Sequence, residues 1–274
     1  MTTSTPTSTI RTFQLYDDVS VTVEKHGVRD GTAVLMLHGG AGPRSVTGLS
    51  NALTRHAYVL TPTHPGFDGR PRPERIDSIP DLAVAYLDLL EKLGVHSALV
   101  IGSSFGGWIG AEMALRDTRG LMTGLVLIGG VGIEPDAPLE IASVEKVGPA
   151  EFFRMAYHNP ALRPNPAALS DEQRAALAAN QRTATVYAGT TMYDPKLRRR
   201  LHRVTMPVLA LYGEQDGIVP LEYGRAFANS FPHARFVPVG NAAHFPHMEQ
   251  PERTVEAIED FVGAEIKPAV DRRW

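Results

Sequence analysis

The stretch Val100-Ile101-Gly102-Ser103-Ser104-Phe105-Gly106-Gly107-Trp108 decides how the rest of the chain is read. An apolar run over 98–101 enters it, and an apolar helical pattern over 106–116 leaves it. Between them stands G-x-S-x-G, as Gly102, Ser104 and Gly106. A strand that becomes a helix through one tight turn needs small residues on either side of that turn, so that the two backbones can approach. The turn holds its central serine in a strained conformation with the hydroxyl exposed. It also aims the unpaired N–H groups of the helix at that hydroxyl, Phe105 first. The bland alternative is a strand–helix turn without chemistry. Ser103 lies one place off the pattern and reads as a packing or supporting residue.

The same rhythm extends outward in both directions. Residues 12–16 and 19–24 alternate around Asp17-Asp18 and read as an antiparallel hairpin. Runs at 33–37, 57–61, 124–128, 207–212 and 235–239 read as strands. Helical patterns fall at 45–54 with Ser45 as N-cap, at 80–93 before the stop signal Gly94, and at 254–264. Such alternation implies a mainly parallel sheet with helices on both faces. From 134 to 203 the pattern is helical, with no strand. Ser170 and Gln173 form a capping box that opens a helix reaching Ala188, and Asp194-Pro195 places a cap and an N1 proline before a helix over 195–202. This stretch reads as an insertion between two core strands. Residues 1–11 are Thr/Ser-rich, without a basic start or apolar centre, and read as a frayed lead-in rather than a secretory signal.

Composition narrows the chemistry. A length of 274 residues suggests one or two domains, and 43% hydrophobic with 21% charged residues excludes disorder over most of the chain. A net charge of -3 gives no footprint for nucleic acid or an anionic membrane. No apolar run approaches the ~18 residues of a membrane span. The absence of cysteine excludes disulfides, thiolate zinc sites, iron–sulfur clusters and a cysteine nucleophile. With no secretory signal, the cytoplasm is the default location.

A nucleophilic serine needs a base, and the base needs an orienting group. After this kind of elbow the expected order is Ser, then an acid, then His. The run at 207–212 leads into Gly213-Glu214-Gln215-Asp216-Gly217, and the run at 235–239 leads into Gly240-Asn241-Ala242-Ala243-His244-Phe245-Pro246. In a parallel sheet both loops share the C-terminal edge with the elbow, where sites form. Asp216 and His244 are thus the candidate acid and base. Glu214 is a rival nearer the strand end, and Asp216-Gly217 is also a turn signal. His244 with His247 lacks a third ligand at suitable spacing, so no metal site is read there.

Taken with His38-Gly39-Gly40-Ala41-Gly42-Pro43, Pro65-Gly66-Phe67 and His244-Phe245-Pro246-His247-Met248-Glu249-Gln250-Pro251, these segments resemble the α/β-hydrolase family over residues 12–264. The resemblance implies a mainly parallel eight-stranded sheet flanked by helices. It implies a core of 12–133 and 204–274, with a helical lid at 134–203 inserted after the sixth strand. It places an oxyanion hole at the N–H groups of Phe105 and Gly40, with Ala41 as the rival to Gly40, and gives His38 a loop-holding role. A lid shapes a substrate pocket, for which Trp108, Phe153, Tyr157, His158, Tyr187 and Phe245 are the candidates. Phe152 and Tyr193 are further lid aromatics. For each lid aromatic the bland reading is lid core, and for His158 it is a helix-end cap. The basic run at 196–203 reads as a solvated helix face.

Dehalogenases and epoxide hydrolases of this family carry aspartate at the elbow, where this chain has Ser104. Some relatives place the acid after the strand before the lid, but Ile128-Gly129-Gly130-Val131 has no carboxylate. Carbon–carbon bond hydrolases of ring-cleavage products typically have Asn before the nucleophile and Trp after the histidine, where this chain has Ser103 and Phe245. The usual glycine before the histidine is Ala243. The expected activity is hydrolysis of a small-molecule carboxylic ester through a Ser-His-Asp triad and an acyl-enzyme, with no metal and no organic cofactor. The alternatives are carbon–carbon bond hydrolysis of a diketone and a non-turnover ligand receptor on the same scaffold.

Overall fold

The computed structural model describes residues 8–27 and 32–266. From the N-terminus run β1 (Thr9–Gln14), β2 (Ser20–His26), β3 (Thr32–Leu37), α1 (Thr47–Leu53), β4 (Ala57–Thr63), α2 (Ile79–Lys92), β5 (Ala98–Ser103), α3 (Phe105–Arg116) and β6 (Met122–Ile128). A helical insertion follows, with β7 (Gly132–Ile133), α4 (Val144–Val147), α5 (Pro149–Ala156), α6 (Asp171–Ala188) and β8 (Tyr193–Asp194). The chain then returns through β9 (Val208–Gly213), α7 (Leu221–Ala228), β10 (Ala234–Val239), α8 (Pro246–Glu249) and α9 (Pro251–Glu265).

Eight strands form one sheet in the order β1-β2-β4-β3-β5-β6-β9-β10. The pairs β1–β2 and β2–β4 are antiparallel and the others parallel. Every residue of β5 and β9 is buried, which is why these runs are continuously apolar instead of alternating. The pleat still divides their side chains between two cores. Val34, Met36, Leu99, Ile101, Leu209 and Leu211 pack with Leu49 of α1 and Ile258 and Phe261 of α9. Leu35, Leu37, Val100, Leu125 and Leu127 pack on the other face with Leu82 and Tyr86 of α2 and Ile109 and Met113 of α3. The ends of β5, β9 and β10 therefore open onto one edge of the sheet, and the insertion lies between β6 and β9 along the chain.

Several local readings change. β1 begins at Thr9, inside the stretch read as a lead-in, because Thr9, Ile10 and Arg11 pair with Lys25, Glu24 and Val23. Residues 1–7 of that lead-in, and 267–274 of the expected core, lie outside the described residues. Ser45 is not an N-cap: its hydroxyl donates to Gly42 O at 2.7 Å within a short 3-10 turn, Pro43–Val46, that precedes α1. The cap of α2 is Ser78, with Asp81 completing a capping box. The Ser170–Gln173 box opens α6, and α6 ends at Ala188.

The helix expected over 195–202 does not form. Asp194 pairs in β8 with Ile133, its Oδ1 accepts the Lys196 N–H at 2.8 Å, and only a 3-10 turn, Leu201–Arg203, follows. The two-residue strand β8 also replaces the strand-free reading of the insertion. Nor is the basic run a solvated face throughout. Arg198 pairs with both oxygens of Asp136 at 2.6 and 2.9 Å. Arg200 reaches Glu112 at 3.1 Å and also pairs with Asp194. Glu112 is fully buried on α3, so Arg116 and Arg200 neutralise a carboxylate that would be costly to bury unpaired. The helices α7 and α8 are additional to the elements read from the sequence.

The elbow depends on two glycines. A Cβ on Gly102 would lie 2.2 Å from Gly106 O, and one on Gly106 would lie 2.4 Å from Leu37 O and 2.7 Å from His38 O. These are backbone atoms that cannot swing aside. Gly106→Ala is expected to lower stability by about 3 kcal/mol or more, measured by urea unfolding. Gly263→Ala, at an open helical position, is expected to be neutral or to stabilise by up to ~1 kcal/mol.

Candidate active site

Ser104 sits between β5 and α3 with φ 54 and ψ −123, a left-handed conformation that costs a non-glycine residue about 1–3 kcal/mol. Backbone bonds on both sides hold it there. Its N–H donates to Ile128 O at 2.8 Å, and its carbonyl accepts from Gly107 at 2.9 Å and Val131 at 3.3 Å. The strain turns the side chain out of the sheet. Ser104 Oγ lies 3.1 Å from His244 Nε2, and His244 Nδ1 lies 2.9 Å from Asp216 Oδ2. His244 is 3% exposed and Asp216 8%, whereas Ser104 is only half-buried. The pair is therefore sheltered while the hydroxyl remains approachable. The other oxygen of Asp216, Oδ1, accepts the N–H groups of Ile218 at 2.8 Å and Val219 at 2.9 Å. Three donors thus fix the carboxylate as an acceptor. Glu214, the rival acid, is exposed and lies beside Gly240.

The loop expected to carry the second oxyanion donor follows β3. The Gly42 N–H donates to Gly39 O at 3.1 Å, closing a turn whose central residues are Gly40 and Ala41. Their N–H groups stay outside that bond. Gly40 is half-buried and Ala41 exposed. Phe105, at the first position of α3, is fully buried, and its N–H has no intrahelical acceptor. Beneath the loop lies a buried network that sequence reading reached only at His38. The Nδ1–H of His38 donates to Gly39 O at 2.8 Å, and its Nε2 accepts the His64 N–H at 3.1 Å. His64 in turn donates from Nε2 to His38 O at 2.8 Å and accepts at Nδ1 from the Tyr86 hydroxyl. The two imidazoles lie against each other at a tilt of 33° with centroids 3.7 Å apart. Burial lowers the His38 pKa to about 4 and that of His64 well below its usual value, so both are neutral at pH 7. A neutral pair leaves each ring one donor and one acceptor, and all four are used. No signal in a single chain shows that β3 and β4 are neighbours, and so that His38 and His64 meet.

The insertion meets this edge at two places. On α6, Asn180 accepts the Asp68 N–H at 2.9 Å and donates to Asp68 Oδ1 at 2.9 Å. Thr183 donates to Gly66 O at 3.1 Å, and Tyr187 to Pro65 O at 2.8 Å. These residues share one helical face with Ala184, which faces Gly40. Beyond α5, Tyr157 packs at a tilt against Phe245 with centroids 5.0 Å apart, and Phe245 meets the His244 ring edge-on at 5.1 Å.

The candidate pocket residues therefore separate. Tyr157 and Phe245 are buried beside His244, and burial pushes the Tyr157 phenol up to about 12, with Glu249 adding to the shift. Tyr187 is buried, and its hydroxyl is committed to the core loop. Trp108 is buried against Gly132 and Leu197 as core, and its indole N–H has no hydrogen-bond partner among the described residues. Phe153 is half-buried against Phe152, and His158 is exposed. His247 donates from Nε2 to Ser45 O at 3.0 Å, away from the His244 pairing.

A sequence model of the alpha/beta hydrolase family matches residues 34–257. The chain is 30% identical over 251 residues to a pimeloyl-[acyl-carrier protein] methyl ester esterase of Aromatoleum aromaticum, covering 84% of this chain and 97% of the relative. It is 25% identical to a 2-hydroxy-6-oxo-2,4-heptadienoate hydrolase of Pseudomonas putida, covering 88% and 92%. Among solved structures, a 2-hydroxy-6-oxo-6-phenylhexa-2,4-dienoate hydrolase from a Rhodococcus species superposes with TM-score 0.77 at 20% identity, covering 95% of this chain and 100% of that one. An esterase from Exiguobacterium antarcticum superposes with TM-score 0.76 at 18% identity, covering 92% and 99%. Among the described residues, no helix is long and apolar enough to cross a membrane.

Proposed function

Because the chain belongs to the alpha/beta hydrolase family, we propose that it hydrolyses a small carboxylic ester through an acyl-enzyme formed on Ser104. The observation that carries this reading is the unbroken chain from Ser104 Oγ to His244 at 3.1 Å and on to Asp216 at 2.9 Å. Ser104 Oγ attacks the ester carbonyl carbon while His244 Nε2 takes its proton. The carbonyl oxygen becomes an oxyanion held by the N–H groups of Phe105 and Gly40. One such donor is typically worth about 3 kcal/mol of barrier. The tetrahedral adduct collapses, the carbon–oxygen bond to the alcohol breaks, and His244 returns its proton to the leaving oxygen. Water then attacks the acyl-enzyme, with His244 as base once more. The acid leaves and Ser104 regains its proton. Asp216 holds the imidazole with Nε2 toward Ser104 and stabilises the cation formed at each step.

The insertion acts as the lid of this site. Its α6 face, pinned through Asn180, Thr183 and Tyr187 to the loop at 65–68, sets Ala184 against Gly40 and shields that part of the oxyanion loop. Carbon–carbon bond hydrolysis is the second reading, favoured by similarity to the heptadienoate hydrolase over most of both chains. Steady-state turnover of p-nitrophenyl esters of increasing acyl length, beside a chromogenic vinylogous diketone, separates the two. Turnover of the esters with a length optimum is expected. Turnover of the diketone alone would overturn the ester reading in favour of the second. No turnover of either would favour a receptor.

A further inference from the structure

The end of α5 is tied to the loops that carry both Asp216 and His244. Met155 O accepts the N–H of Gly217, the residue after Asp216, at 3.2 Å, and Ala156 O accepts the N–H of His244 itself at 3.0 Å. Just beyond, the carboxylate of Glu249 closes the connection. Its Oε2 accepts the N–H of Ala243, the residue before His244, at 2.7 Å, and its Oε1 accepts the N–H of Asn159 at 2.7 Å. Glu249 is half-buried at the end of α8, five places after the histidine, and touches none of the reacting groups of the mechanism above.

We propose that Glu249 is a positioning residue for His244, an inference that rests on the triad reading. A carboxylate accepting two backbone N–H groups makes charge-assisted bonds, shorter and stronger than those of a neutral acceptor. It fixes the peptide on the N-terminal side of His244, while Ala156 O fixes the His244 N–H. The imidazole then has little freedom to leave the line between Asp216 and Ser104. The same carboxylate ties the insertion to that peptide, so the α5 end of the insertion and the base are held as one unit.

The test uses the full chain with Glu249→Ala and Glu249→Gln, beside wild type and Ser104→Ala, on one p-nitrophenyl ester. Melting curves define the folded fraction, and kcat is expressed per folded molecule. Because misplacing a catalytic group by about 1 Å can cost on the order of 100-fold, Glu249→Ala is expected to lower kcat by roughly 30- to 100-fold with KM within about two-fold of wild type. Glu249→Gln, which keeps one acceptor oxygen, is expected to lose less, about ten-fold. It carries the test alone if the alanine variant fails to fold. Wild-type kcat per folded molecule in the glutamine variant, or a loss expressed only in KM, would overturn the proposal while Ser104→Ala remains inactive. Full turnover by Ser104→Ala would instead overturn the triad reading on which it rests.

Discussion

Ser104→Ala is expected to lower kcat for a p-nitrophenyl ester by on the order of 10^4- to 10^6-fold, the range found when a serine nucleophile is removed from an intact site. The variant is expected to fold. Ser104 gives its backbone conformation to the site, and its N–H and C=O remain bonded to Ile128, Gly107 and Val131 whatever the side chain. What disappears is the one hydroxyl within reach of His244 Nε2 at the elbow. The residual rate measures the oxyanion loop and binding alone. Ser103→Ala is the matched control. Its hydroxyl is buried and has no hydrogen-bond partner among the described residues, so its removal takes away no bond seen there and relieves an unsatisfied group. Turnover within about three-fold of wild type and equal or slightly higher stability are expected. Stopped-assay rates in which Ser103→Ala is the inactive variant, and Ser104→Ala the active one, would move the nucleophile to the neighbouring residue.

The parts of this arrangement that sequence revealed are those in which one local pattern has one physical solution. Gly102 and Gly106 admit no other residue because backbone lies within 2.4 Å of their missing Cβ atoms, and that requirement is visible as spacing in the chain. The capping box at Ser170 and Gln173 is local in the same way. Asp194-Pro195 shows where locality fails. The same residues that cap a helix also make an Asx turn, and the choice fell to partners far away in sequence. These are Ile133, paired with Asp194 in β8, and Glu112, whose buried charge draws in Arg200. Ser45 likewise donates to Gly42 O instead of accepting from a helix, because the loop after β3 tightens into a 3-10 turn. The His38–His64 pair depends on β3 lying beside β4, and the Glu249 clamp on the insertion returning to the histidine loop. No periodicity carries either fact. The elbow at Ser104 is thus legible in the sequence, while the residues that hold its surroundings in place are legible only in three dimensions.

Asp216→Asn is expected to cost on the order of 10^4-fold in kcat, although it is nearly isosteric. The reason lies in the number of donors that face the carboxylate. Oδ1 accepts from Ile218 and Val219, and Oδ2 accepts from His244 Nδ1. An asparagine has one acceptor oxygen and one donor NH2. If its oxygen stays with the two backbone N–H groups, its NH2 faces His244 and favours the tautomer with the proton on Nε2. That nitrogen then cannot take the proton of Ser104. If the side chain flips, the NH2 meets the two N–H donors and the loop at 216–219 must shift. The first arrangement removes the base, the second displaces the loop that holds it, and neither prevents folding of the sheet behind it. Glu214→Gln, at an exposed position beside Gly240, is expected to remain within about two-fold of wild type. Measured by nitrophenolate release at saturating ester, equal losses in the two variants would remove Asp216 from the assignment. A loss confined to Asp216→Asn would show that the orientation of His244, and not the general acidity of the loop, sets the rate.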